Sequence, residues 1–101
     1  MKTVVIYSFR GRFAGKAEYE YTYPKVGDTH NCLCFISQDN EELEFENAVN
    51  ESLKYGFTDT ENWAGNPLKV EVLNTEGYRR FSGFYEEALN EGSSLVYYPN
   101  T

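Results

Sequence analysis

The sequence predicts an α+β domain: a five-stranded, mostly antiparallel mixed sheet in the order β-β-β-α-β-α-β, with two helices packed on one face. Three observations predict it. Runs of β-branched and aromatic residues recur at 3–9, 17–23, 32–36, 68–73 and 94–98. Two other stretches place apolar residues at helical spacing. Strands and helices then alternate in the second half, which calls for crossover connections over a sheet. At 101 residues the chain has the length of one ordinary domain, so residues 1–101 are read as a single compact unit.

The first run, TVVIYSF, is apolar at both parities, as in a central strand buried on both faces. RGRFAG follows with two glycines for a turn. AEYEYTY then alternates, with Ala17, Tyr19, Tyr21 and Tyr23 on one side and Glu18, Glu20 and Thr22 on the other. Pro24, Gly27 and Asp28 mark a second connection before CLCFI. Asp39 and Glu42 are spaced as a capping box, so a helix is expected to start there. Phe45, Ala48, Val49 and Leu53 would form its apolar stripe and Gly56 its stop. The stretch 56–67 has two glycines, a proline and little periodicity, and reads as a loop around Trp63. LKVEVL alternates as a fourth strand. Asn74 or Thr75 would cap a second helix with Tyr78, Phe81, Tyr85, Ala88 and Leu89 on one face and Gly92 at its end. SLVYY is the last strand.

The charge is uneven. The net charge is -7, yet Lys2, Arg10, Arg12 and Lys16 all precede the first acid, Glu18. Nucleic-acid binding depends on Lys and Arg neutralising phosphates, so direct nucleic-acid binding is not expected. A basic protein partner is, because complementary potentials steer association. No run approaches the roughly 20 apolar residues of a membrane-spanning helix. The first residues also lack the apolar stretch and small-residue site of an export signal, so the expected location is the cytoplasm, with no membrane partner. Cys32 and Cys34 lie in an apolar run and read as reduced core residues.

Few constellations carry chemistry. Arg10, Arg12 and Lys16 around Gly11 and Gly15 are a candidate anion-binding turn. The glycine spacing is one residue short of a phosphate loop, and Ala17 stands where its Ser or Thr belongs. His30 is the only histidine. With Cys32 or Cys34 it would have to form any thiol dyad, but those thiols lie among Leu33, Phe35 and Ile36 rather than in electropositive surroundings. Two cysteines and one histidine fall short of a zinc ligand set, and no cofactor is expected. No nucleophile, base and orienting group come together, so no catalytic residues are assigned and no enzymatic activity is expected.

The strongest feature is a run of acids, Asp39, Glu41, Glu42, Glu44 and Glu46, in a stretch with no basic residue from 26 through 53. Acids in a first helical turn favour the helix dipole, which accounts for the first three better than for the last two. Mutual repulsion along this run would be relieved by a cationic partner. Asp59, Glu61 and Trp63 are candidates for the same surface, Trp63 as an aromatic anchor or as a plug for the end of the core. Tyr19, Tyr21, Tyr23, Tyr97 and Tyr98 would line whatever sheet face the helices leave open. The expected function is therefore a small acidic inhibitor that masks a basic, nucleic-acid-binding or nuclease surface of a partner, of the immunity-protein, antitoxin or phage anti-defence kind. The alternative is a small-molecule or nucleotide binder using the basic turn and a Tyr-rich sheet face.

Overall fold

In the computed structural model, residues 2–68 and 81–98 are described. They run β1 (Thr3–Phe13), β2 (Thr29–Gln38), α1 (Phe45–Lys54), β3 (Phe57–Leu68), α2 (Ser82–Glu91) and β4 (Ser93–Tyr98). The class is α+β, but the sheet has four strands, in the order β3-β1-β2-β4, and every pairing is antiparallel. The expected five-stranded mixed sheet is corrected on both counts.

β1 lies between β3 and β2, in the interior position that apolar side chains at both parities require. From alternate positions Val5, Tyr7, Phe9 and Phe13 join Cys32, Cys34 and Ile36 of β2, Leu95 of β4, and Ala48, Tyr55 and Phe57 in one core. Val4 and Phe35 turn to the opposite face, where they meet Leu68, Phe81 and Ala88, with Ile6, Leu33, Phe84 and Tyr85 packed around them. α1 therefore serves one face and α2 the other. The expectation of two helices on one face fails for a physical reason: β1 and β2 are apolar on both sides, and an uncovered side would leave those residues in water.

Two segments change class. Residues 17–23, expected as a strand, have no strand pairing. The Glu18 amide instead donates to the Lys54 carbonyl at the end of α1 (2.7 Å), and the Tyr21 hydroxyl donates to the Tyr55 carbonyl. The alternation there reflects Ala17, Tyr19 and Tyr21 packing on the first core, not a sheet ladder. Residues 56–67, expected as a loop, are almost wholly β3. Against β1 this strand shifts register twice, between Ser8 and Arg10 and between Arg10 and Arg12, with two β1 steps matched by three in β3 each time. Asp59 (φ 52°) and Asn62 (φ 58°) sit in the left-handed region within those shifts. Asp and Asn tolerate that conformation, so the residues that read as loop formers are bulge formers here. Pro67 fits because β3 is an edge strand.

The helices also differ in detail. α1 begins at Phe45 rather than near Asp39. It buries Ala48 and Ser52, with Tyr55 just beyond its end, while Phe45 and Leu53 are exposed. Small residues on the buried side let the helix approach the sheet closely. α2 buries Ala88, with Phe81 buried just before its first turn, and ends at Gly92 (φ 98°), whose amide donates to the Ala88 carbonyl (2.8 Å). The strand expected at 68–73 beyond Leu68, and the first turns expected at 74–80, lie outside the described residues. Among the described residues no helix is long and apolar enough to cross a membrane.

Candidate functional site

The acidic segment is shaped from below by two buried polar side chains. The Tyr7 hydroxyl donates to Gln38 Oε1 (2.9 Å) and accepts the Glu44 amide (2.8 Å). Gln38 Nε2 donates to the Asn40 carbonyl (2.9 Å) and the Glu42 carbonyl (2.6 Å), and Asn40 Oδ1 accepts the Glu42 amide (2.9 Å). The Asn40 side chain thus takes the Glu42 amide that a capping box from Asp39 would have used, and Gln38 holds the Asn40 and Glu42 carbonyls that a helix would have used as acceptors, so Asp39 and Glu42 do not open a helix. Phe45 packs edge-on against Tyr7 with ring centroids 5.7 Å apart, and Leu43 lies over Gly65 of β3, where an added Cβ would come within 3.0 Å of it.

On this frame Glu41, Glu42 and Glu46 are exposed and Glu44 is partly buried. None of the four pairs with a described basic residue; the ion pairs among the described residues are Lys2–Asp39 (2.7 Å), Arg12–Asp59 (3.0 Å) and Lys54–Glu51 (3.4 Å). The Lys2 ammonium, by hydrogen bond and charge, holds the Asp39 carboxyl below its usual range. Leu43 and Phe45 are exposed among these acids, 43% and 37% respectively.

The other expected residues fall elsewhere. Thr58 is opposite Arg12 while Gly65 is opposite Tyr7. Asp59 and Glu61 thus lie roughly 10–16 Å along the sheet from Gly65 and are not continuous with residues 39–46. Trp63 is partly buried, stacked on Phe9 at 4.5 Å with its Nε1 donating to Thr60 Oγ1 (3.1 Å), so it closes the end of the first core. Arg10 and Arg12 belong to β1 rather than a turn. Arg10 donates to Asn31 Oδ1 (3.3 Å) and Arg12 to Asp59, while Lys16 follows separately. His30 Nδ1 lies 3.1 Å from the Tyr98 carbonyl, and Cys32 Sγ contacts the His30 carbonyl rather than its ring. Burial pushes the Cys32 thiol up to about 12 and the Cys34 thiol higher still.

A second acidic surface was not anticipated. A groove of about 560 Å³ opens where the 19–21 segment, the end of α1, α2 and the start of β4 meet. Tyr19, Glu20 and Tyr21 of that segment line it, together with Tyr55, Ser93 and Leu95 and with Glu86, Glu87, Asn90 and Glu91 of α2. Beneath it the Tyr19 hydroxyl (3.2 Å) and the Ser93 hydroxyl (2.8 Å) donate to Glu51 Oε2, and Tyr55 Oη lies 3.0 Å from Ser93 Oγ. Burial above all, then the charges of Glu51 and Glu87 among its neighbours, push the Tyr55 phenol up; burial does the same to Tyr21, and burial with Glu51 to Tyr19. The alternating tyrosines were visible in the sequence, but their neighbours are set by folding. Glu86, Glu87 and Glu91 are less dense than the 39–46 run and attract less notice.

No family model, curated protein or solved structure matches this chain.

Proposed function

We propose that this protein is a small acidic binding domain that docks on a basic surface of another protein and masks it. The partner is a nuclease or nucleic-acid-handling complex, as for immunity proteins, antitoxins and phage anti-defence inhibitors. One observation carries this reading: Glu41, Glu42 and Glu46 are exposed, pair with no described basic residue, and sit on a segment tied to buried Tyr7 and Gln38. Carboxylates presented this way imitate a run of phosphates. Because the segment is already ordered, little conformational freedom is lost on docking. Leu43 and Phe45 between the acids offer the apolar contact that charges alone lack, since interface cores are depleted of charge and enriched in aromatics. The buried, unbridged thiols of Cys32 and Cys34 suit action in the reducing cytoplasm. The alternative, a nucleotide or small-molecule site at Arg10, Arg12 and Lys16, has less behind it, because Arg12 is already paired with Asp59 and Arg10 bonded to Asn31.

The test is capture of basic proteins on immobilised full-length chain at low salt, followed by assay of the captured protein's nucleic-acid binding or cleavage. Blocked activity, and release as salt shortens the Debye length below about 8 Å, are expected. The triple variant Glu41→Lys, Glu42→Lys, Glu46→Lys should lose affinity at least about tenfold while staying folded. A folded triple variant that captures and inhibits as well as the parent would overturn the proposal.

A further inference from the structure

We propose that the outer edge of β4 is a docking site for an extended basic segment of another protein, which adds to the sheet as a fifth strand. This site is separate from the acidic segment at 39–46. β4 is the last strand of the sheet, and among the described residues no strand pairs with its outer side. The Ser37 amide donates to the Gly92 carbonyl (2.9 Å), and this bond sets the phase of the β2–β4 ladder. Opposed residues of an antiparallel pair alternate between hydrogen-bonded and non-bonded. With Ser37 and Gly92 bonded, Ile36–Ser93, Cys34–Leu95 and Cys32–Tyr97 are the non-bonded pairs. The amides and carbonyls of Ser93, Leu95 and Tyr97 therefore point away from β2, out of the sheet. Ser93 and Leu95 also line the groove of about 560 Å³, whereas Ser94 and Val96 do not. The groove thus opens onto strand backbone whose ladder is incomplete.

The two edges of the sheet are built differently. β3 carries features that resist strand addition: Pro67, two register shifts, and the charged Asp59 and Glu61. β4, SSLVYY, has no proline, no charge and an unbroken register. Its surroundings select the occupant. Leu95 and Tyr97 belong with Tyr19, Tyr21 and Tyr55 to the first core face, while α2 covers the other. Side chains of a strand alternate between faces, so an added strand turns one parity toward the tyrosines and the other toward α2. Glu86, Glu87, Asn90 and Glu91 of α2 line the groove, and no Lys or Arg does. An incoming strand that alternates apolar residues with Lys or Arg meets both sides. A second copy of this chain does not, because its own β4 offers no basic residue.

The experiment is NMR titration of the full chain with a blocked peptide, Lys-Val-Lys-Val-Lys-Val-Lys, and with two forms of it, one N-methylated at every valine and one at the inner lysines. The parent peptide should shift the resonances of β4 and slow exchange of the Ser93, Leu95 and Tyr97 amides. The two methylated forms carry the same charge but lose donors on opposite edges. One of them, the valine form for antiparallel addition or the lysine form for parallel, should bind at least about tenfold more weakly than the other. The variant Glu86→Gln, Glu87→Gln, at exposed helix positions, should weaken the parent peptide about threefold. Equal binding of the two methylated forms marks diffuse attraction of a cation to an acidic protein and would overturn the proposal. So would unchanged exchange of the three β4 amides at saturation, or undiminished binding to the glutamine variant, which removes the case for a basic occupant. Self-association through β4 without peptide binding would assign the edge to a second copy and likewise overturn it.

Discussion

The Tyr7 hydroxyl and the Gln38 side chain meet at 2.9 Å, Tyr7 wholly buried and Gln38 nearly so, and together hold three backbone groups of the acidic segment. Each partner would be costly to bury alone, since an unpaired buried polar group forfeits its hydration. Joined, they turn the end of β2 into a frame for residues 40–44. The frame explains how a run of mutually repelling carboxylates has a fixed path without a helix beneath it.

Tyr7→Phe tests that frame. It keeps the ring and leaves Gln38 Oε1 and the Glu44 amide without their shared partner, which should cost about 1–3 kcal/mol. The urea midpoint should fall with the m-value unchanged, and the Glu44 amide should exchange faster. An unaltered midpoint and unaltered exchange would show that the segment holds its path without the hydroxyl.

Gly56 and Gly92 both have φ near +95°, but their surroundings differ. A Cβ at Gly56 would stand 2.6 Å from the Phe13 ring, while one at Gly92 would meet nothing within 4 Å. Gly92→Ala should therefore cost only the backbone strain of about 1 kcal/mol. Gly56→Ala adds displacement of a core aromatic and should cost about 1–3 kcal/mol more. Denaturation of the two variants side by side checks the order, and equal losses would refute it.

The buried tyrosines make stability fall in alkali. Burial raises the folded-state phenols of Tyr7, Tyr21 and Tyr55 above their ordinary value of about 10. Below that value the folded and unfolded states bind the same protons and these groups contribute fully. Above it the unfolded chain releases phenolic protons that the folded one retains, so stability declines as pH climbs further. Absorbance of tyrosinate should show fewer than the nine tyrosines titrating before unfolding, and the remainder appearing with it. Smooth ionisation of all nine in the folded protein would contradict this.

Cys32 and Cys34 should be inert in the folded state. Both are buried, and burial disfavours the thiolate that reacts. A thiol-specific disulfide reagent at pH 8 should label neither on the timescale on which it labels both in guanidinium. Rapid labelling without denaturant would mean that the β2 core opens readily.

How far residues alone lead is clearest at β3 and at 17–23. Both segments invert the local pattern: DTENWAGN carries polar turn formers and becomes a strand, while AEYEYTY alternates as a strand would and pairs with none. In the first case Asp59 and Asn62 take left-handed conformations at register shifts against β1, a long-range pairing with no local signature. In the second, the amide that a sheet would have used is captured by the open carbonyl end of α1. The acids of 39–46 were legible as a feature but not as a shape, because their path depends on a tyrosine more than thirty residues earlier, as the Tyr7–Glu44 bond shows. The groove was not legible, since it joins four segments distant in the chain.

What the residues determine by themselves is composition at each position: a net acidic chain, β1 and β2 apolar at both parities, thiols in an apolar run, and Gly92 at a helix end. From these the α+β class follows, because such strands must be covered and the helical stretches are available to cover them. Tertiary structure alone decided that the cover is divided between the two faces, that β3 bulges to reach its partner, and that Tyr19, Tyr55 and Glu51 share a network. The physical reason is that each of these depends on which distant group satisfies a buried hydrogen bond or fills a core position, and that is settled only when the segments meet.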